Sequence, residues 1–211
     1  MKLADIRIDY SLKSLDSTDV AENPIQQFNQ WFEEAIQAKV MEANAMNLST
    51  LGKDGFPNSR IVLLKGVDHG FVFYTNYQSA KGQELIHDPK VALTFFWPEL
   101  ERQVRVVGKA AKVSPEESDE YFFSRPFSSQ IGAWVSPQSQ EIPDRKYLAD
   151  REQMYSKELS PETIKRPPHW GGFRITPIEI EFWQGRPSRL HDRILYTLQG
   201  TEKWSIKRIA P

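Results

Sequence analysis

The chain of 211 residues contains no cysteine. That excludes thiol nucleophiles, iron–sulfur clusters and cysteine-bound zinc, and it fits a reducing compartment. A chain of this length is expected to bury roughly 70% of its unfolded surface, so it needs no disulfide staples. It also lacks an excess of either charge: 27 Lys and Arg face 28 Asp and Glu, for a formal net charge of −1. No global field draws it to nucleic acid or an anionic membrane, and any affinity for phosphate must come from local basic clusters. No apolar run approaches the roughly 20 residues that span a bilayer. Met1 to Asp5 has no apolar signal character, and the expected location is the cytoplasm. No GxGxxG follows a predicted strand, and GxxxxGK[ST] is absent. The four histidines, His69, His87, His169 and His191, show neither HxxxH nor HExxH spacing, so no metal site is expected.

Aromatic residues are plentiful, at 12% with six Trp and 12 Phe. They suit a filled core and a dimer interface, or a site for a flat ring. Residues 1–22 are polar and weakly periodic and are expected to form a mobile arm before a single domain over 23–211. Asn23-Pro24 reads as a helix cap followed by proline at the first helical position. Ile25, Phe28, Phe32, Ala35 and Ile36 keep helical spacing to about Val40. Strands are expected over 46–51, 59–67, 71–75, 91–97 and 103–113, with the Asp54-Gly55 turn after the first. Ser79 caps a short helix, and Ser114-Pro115-Glu116-Glu117 starts another that stops before Pro126. Ser128 is read as the cap of a helix to Trp134, and residues 144–159 as a charged outer helix. A hairpin over 178–198 and a strand over 204–209 complete the series. Short turns and the lack of a βαβ rhythm argue for an antiparallel barrel with helices packed outside.

Four groups of residues are suited to chemistry. Arg60 and Lys65 bracket Ile61-Val62-Leu63-Leu64. Five residues span roughly 16 Å in a strand and put the two charges on opposite faces. They serve one ligand only if it lies along the strand or the strand bends; otherwise they are solvated strand-end charges. Tyr121 and Arg125 share a helix face. Ser129 falls in the first turn after Pro126, where free N–H groups favour an anion, and the three side chains suit a phosphate monoester. Arg189, His191 and Arg193 point to one face if 189–198 is a strand. An anionic ligand is one reason for that basic cluster; an edge strand that deters pairing is the other. Trp183 on the facing strand shares its face with Glu179 and Glu181, which suggests a planar ligand or a partner subunit. Gln103, Gln138 and Ser139 are donors for the carbonyls of a heterocycle.

RIVLLK at 60–65, FYTN at 73–76, ERQV at 101–104, YFFSRP at 121–126, SQIGAWVS at 129–136, WGGFR at 170–174, IEFWQG at 180–185 and RLHDR at 189–193 run in one order along the chain. Together they resemble the pyridoxine (pyridoxamine) 5'-phosphate oxidase family. The resemblance implies an FMN-binding split β-barrel that works as a homodimer, with sites between subunits. It implies FMN contacts from Arg60, Ile61, Val62, Leu63, Lys65, Tyr74, Thr75, Lys81, Gln103, Gln138, Ser139, Trp183 and Arg193. It puts the substrate phosphate among Lys65, Tyr121, Arg125 and Ser129, and sets Arg189 and His191 over the substrate ring as catalytic residues. Arg7 and Tyr10 resemble an arm motif that closes over the site. The implied reaction oxidises pyridoxamine or pyridoxine 5'-phosphate to pyridoxal 5'-phosphate, with O2 as acceptor. One departure is Ala80, where the family often has arginine between Ser79 and Lys81.

Overall fold

The computed structural model describes Leu3 and residues 9–211. Helix α1 (Pro24–Gln37) begins where the Asn23 side chain accepts the Ile25 amide, and proline fills its first turn. Phe28, Trp31 and Ala35 lie on its buried face. Strands β1 (Ala45–Leu51) and β2 (Pro57–Leu63) pair antiparallel around a turn in which Gly55 takes φ +83°. A side chain at that φ would be strained, so the turn needs glycine. The chain continues through β3 (Gly66–Val67), β4 (Phe71–Asn76), α2 (Ala80–His87), β5 (Lys90–Trp97) and β6 (Arg102–Lys112). Three helices follow: α3 (Pro115–Ser124), α4 (Phe127–Val135) and α5 (Arg145–Glu158). Strands β7 (Trp170–Gln184), β8 (Asp192–Gln199) and β9 (Lys203–Arg208) end the chain. Among the described residues no helix is long and apolar enough to cross a membrane.

The strands form one antiparallel sheet in the order β2-β1-β5-β6-β7-β4-β3. The 15-residue β7 organises it. β6 runs along one edge of β7, while β4 takes residues 170–175 of the other edge and β8 takes 179–184. Between those halves the β6–β7 register shifts, with Val107 opposite Glu179 and Gly108 opposite Pro177, so Ile178 is an inserted bulge residue. A bulge bends the strand and raises its twist. The sheet therefore forks here and curls into an antiparallel split barrel with helices outside. The inner face buries Phe28, Phe71, Phe73, Phe95, Trp97, Phe182 and Tyr196. Each such ring contributes about 1.5–3 kcal/mol by leaving water. A second apolar cluster, with Phe122, Ile131, Val135, Ile164 and Trp170, seats α3 and α4 on the sheet.

Four local expectations are corrected. The strand expected over 59–67 breaks at Leu64. The Leu64 amide donates to Asn44 O, and the next amide, of Lys65, donates to Val72 O, so the chain changes partners at a corner. The final hairpin starts at Trp170 rather than 178; Gly171 and Gly172 weaken the strand signal, yet they are needed because Tyr77, Tyr74 and Val113 crowd their Cβ positions. α4 is capped by Pro126, not Ser128, and Ser129 lies in its first turn. Finally, residues 187–189 form a 3-10 turn with positive φ at Ser188 and Arg189, and β8 begins only at Asp192. Arg189 and His191 therefore do not share a strand face with Arg193. Pro187, which lacks an N–H to donate to a ladder, prolongs the loop.

Candidate active site

Most of the expected residues gather in two clusters, at opposite ends of β7. The first surrounds a cavity of about 420 Å³ lined by Arg60, Ile61, Val62, Leu63, Lys65, Tyr74, Thr75, Lys81, Tyr121, Arg125, Gln138 and Trp170. β2 is the last strand on its side of the sheet. Its outer backbone edge is thus available to hydrogen-bond a ligand. The corner at Leu64 resolves the Arg60–Lys65 problem: the strand bends, and both residues reach one cavity. Two smaller cavities adjoin it. One, of about 340 Å³, shares Lys65, Tyr74 and Tyr121; the other, of about 230 Å³, shares Arg125, Gln138 and Trp170 and adds Ser129.

The electrostatics of this cluster favour an anion. Among the described residues Lys65, Lys81 and Arg125 have no carboxylate partner, whereas Arg60 pairs with Glu84 at 3.0 Å. Burial, then the charge of Arg60, lowers the Lys81 pKa. Burial likewise lowers that of Arg125. The Arg125 guanidinium stacks 4.6 Å above the Trp170 ring and donates through Nη2 to Ser129 O at 2.7 Å. Its Nη1 is buried and has no partner among the described residues. A buried unsatisfied donor on a charged group costs free energy, about 1–3 kcal/mol or more, unless a ligand takes it up. Tyr74 and Tyr121 stack at 3.9 Å beside it. Burial, followed by Glu117 and Tyr121, pushes the Tyr74 pKa to about 12, so it remains a phenol. Thr75 Oγ1 donates to Gln138 Oε1 at 3.3 Å, and Ser139 takes φ 69° beyond it.

The second cluster sits where β6, β7 and β8 meet. Gln103 pairs with Trp183, and Trp183 with Arg193, so the three lie in one row across the outer sheet face. The Arg193 guanidinium is held by Glu181 through two hydrogen bonds of 2.8 and 3.0 Å. Trp183 packs against the His191 ring at 4.6 Å, and Tyr10 closes on both at 5.7 and 5.9 Å. Tyr10 can approach because residue 185 is glycine; a Cβ there would meet Tyr10 Cβ at 2.7 Å. The Arg186 amide donates to His191 Nδ1 at 3.1 Å. In a neutral ring that leaves the proton on Nε2. Burial, then the charge of Arg189, lowers the His191 pKa below 6.5 and favours the neutral form. Arg189 itself is exposed. Arg7 lies outside the described residues.

The two clusters do not meet within one chain. Tyr74 sits opposite Gly172, and Trp183 lies eleven residues further along β7. That is about 35 Å of extended strand. Two large apolar side chains of this sheet, Ile61 on β2 and Phe96 on β5, are 66% and 54% exposed. Another cavity, of about 700 Å³, lies between the start of α1 and the β8–β9 hairpin and gathers none of these residues.

Comparison with known proteins supplies a family. Residues 32–157 match the model described as pyridoxamine 5'-phosphate oxidase. The chain belongs to the pyridoxine/pyridoxamine 5'-phosphate oxidase family. Residues 170–211, which carry most of the second cluster, match the C-terminal dimerisation region of pyridoxine 5'-phosphate oxidase. Among family members, the Chromobacterium violaceum pyridoxine/pyridoxamine 5'-phosphate oxidase is 58% identical, with 100% of this chain and 99% of that protein covered. Its Cytophaga hutchinsonii counterpart is 55% identical, with 99% and 98% covered. The structure of PhzG from Burkholderia lata, in complex with tetrahydrophenazine-1-carboxylic acid, superposes with a TM-score of 0.89 at 28% identity, covering 96% of this chain and 100% of that one. A related FMN-binding protein from Nostoc punctiforme shares the fold, with a TM-score of 0.71 at 18% identity, covering 87% and 97%.

Reading from the sequence missed several residues that shape the site. Glu84 and Thr50 hold Arg60, Asn58 holds Glu84, Trp170 carries Arg125, Glu181 orients Arg193 and the Arg186 amide sets the His191 tautomer. Trp170 begins WGGFR and was within reach of motif reading. The other contacts come from pairing and backbone geometry, which no local pattern announces.

Proposed function

We propose that this protein is an FMN-dependent oxidase that converts pyridoxamine 5'-phosphate or pyridoxine 5'-phosphate to pyridoxal 5'-phosphate. O2 is the acceptor and hydrogen peroxide the by-product; ammonia leaves from the amine. It acts in the cytoplasm as a homodimer. The observation that carries the reading is the first cavity: Arg60, Lys65, Lys81 and Arg125 line it, the carboxylate paired with Arg60 is Glu84 behind its wall, and the buried Arg125 Nη1 has no partner among the described residues. That donor set fits phosphate monoesters, and the flat walls beside it fit ring systems.

FMN, when bound, supplies the two-electron chemistry. Arg60 and Lys81 hold its phosphate, and the β2 edge from Ile61 to Leu63, with Lys65, Tyr74, Thr75, Gln138 and Ser139, meets the rest. Lys65, Tyr121, Arg125 and Ser129 bind the substrate phosphate. Phosphate affinity gained there is used to hold the reacting carbon in place. Gln103, Trp183 and Arg193 come from the second cluster of the other subunit and complete the flavin pocket. Arg189 and His191 of that subunit cover the substrate ring. His191, neutral and protonated at Nε2, donates a hydrogen bond without adding a third positive charge. Tyr10 shuts the site from water, with Arg7 in the same arm.

The test is direct. The purified protein is expected to show a flavin spectrum, and pyridoxamine 5'-phosphate in air is expected to yield aldehyde and peroxide in equal amounts. Pyridoxamine without the phosphate is expected to react at least about a hundredfold less efficiently. Bound flavin with no turnover of either phosphorylated substrate would instead point to a family member with another substrate.

A further inference from the structure

Arg60 differs from the other cations of the first cavity. Lys65, Lys81 and Arg125 have no carboxylate partner among the described residues, yet Arg60 is tied to Glu84 at 3.0 Å. Glu84 is not a surface residue. It is buried on the inner side of α2 and receives three hydrogen bonds: Thr50 Oγ1 at 2.5 Å, Asn58 Nδ2 at 2.8 Å and Arg60 Nη2. Arg60 Nη1 also donates to Thr50 Oγ1. Two strands and a helix thus converge on one carboxylate behind the cavity wall. Lys81, one helical turn earlier, feels the same charge. Burial opposes ionisation of Glu84, but the Thr50 hydrogen bond and the Arg60 charge outweigh it, and its pKa stays below the usual value.

We infer that Glu84 is an internal counter-anion that competes with the flavin phosphate for Arg60 and so sets how tightly the cofactor is held. This rests on the proposed reading that the FMN phosphate binds beside Arg60 and Lys81. Without ligand, Glu84 offsets the mutual repulsion of neighbouring cations. With ligand, the same carboxylate repels a phosphate that carries one to two negative charges. The attraction between Arg60 and the phosphate is shared with a partner that never leaves. Removing the negative charge destabilises the ligand-free protein and favours the loaded one. A residue that merely aimed Arg60 would act the other way, because its loss would loosen the cofactor.

The experiment compares wild type, Glu84→Gln, Glu84→Asp and Thr50→Val. FMN affinity is measured by quenching of flavin fluorescence, with riboflavin as the ligand that lacks the phosphate. Glu84→Gln is expected to bind FMN about tenfold more tightly and to leave riboflavin binding unchanged. Its ligand-free form is expected to melt below wild type. Glu84→Asp keeps the charge, and Thr50→Val keeps both charges while removing the shared hydroxyl; both are expected within about threefold of wild type for FMN. If ligand-free Glu84→Gln does not survive purification, the holoprotein is made and FMN release is timed, with slower release expected. Looser FMN binding or faster release in Glu84→Gln would overturn the inference. So would an equal change for riboflavin, or a tenfold shift in Thr50→Val. Failure of wild type to bind FMN at all would instead remove the functional reading beneath it.

Discussion

At the scale of single residues, the site depends on charges with and without partners. Arg189 is exposed, sits at positive φ and makes no ion pair among the described residues. It therefore contributes little to the fold. Arg189→Ala is expected to lower kcat/KM about a hundredfold while FMN content and melting temperature stay near wild type. Loss of flavin in parallel would show that the residue holds the cofactor instead. His191 gives a pH prediction. Its folded pKa is lowered by burial and by Arg189, so between that value and the ordinary 6.5 the unfolded chain binds more protons than the folded one. Its contribution to stability is complete above pH 6.5 and is lost as pH falls through the folded value. Protonation also turns Nδ1 into a donor facing the Arg186 amide. Turnover is thus expected to fall on the acid side with an apparent pKa below 6.5, and a His191→Asn variant is expected to lose that limb of the profile. The identities of most of these residues were legible in RIVLLK, YFFSRP and RLHDR. Their supports were not, since Glu84 and Arg60 lie 24 positions apart and meet only when α2 packs behind β2.

At the scale of elements, the starts of α1, α2, α3 and α5 were read well because their signals are local, whereas α4 starts at Pro126 with no side-chain cap and was misplaced. Asn23, Ser79, Ser114 and Asp144 each accept an amide from the first turn of their helix. Strand ends were read less well. The break at Leu64 and the bulge at Ile178 arise from which strand lies alongside, and that information is not local. The bulge provides a test. Gly108 faces it, and a Cβ at 108 would run into the Thr176 carbonyl. Backbone cannot swing aside as a flexible side chain can. Gly108→Ala is expected to cost about 1–3 kcal/mol in denaturant unfolding. It is also expected to weaken FMN binding, because the bulge fixes the angle between the two halves of β7. A neutral substitution would mean that the fork is held elsewhere.

At the scale of the whole molecule, the antiparallel barrel with outer helices was legible from short turns and the missing βαβ rhythm. The separation of the site was implied only by the family resemblance, which sets the sites between subunits, and not by composition, periodicity or spacing. Sequence order sets Arg125 and Arg189 as two stretches of one chain, and only the length of β7 shows that they face different ends of the protomer. The exposed side chains of Ile61 and Phe96, together with the dimerisation region over residues 170–211, support a second copy closing the gap. On the proposed reading, each site of a two-fold dimer takes its phosphate cluster from one subunit and its Arg189–His191 cluster from the other. The most direct test mixes two inactive proteins. Arg125→Ala and Arg189→Ala are each assayed alone and then after subunit exchange. A heterodimer carries both lesions in one site and none in the other. Random exchange is therefore expected to restore about a quarter of wild-type activity. No recovery, with heterodimers shown to form, would mean that both clusters serve the same chain, contradicting the shared-site account.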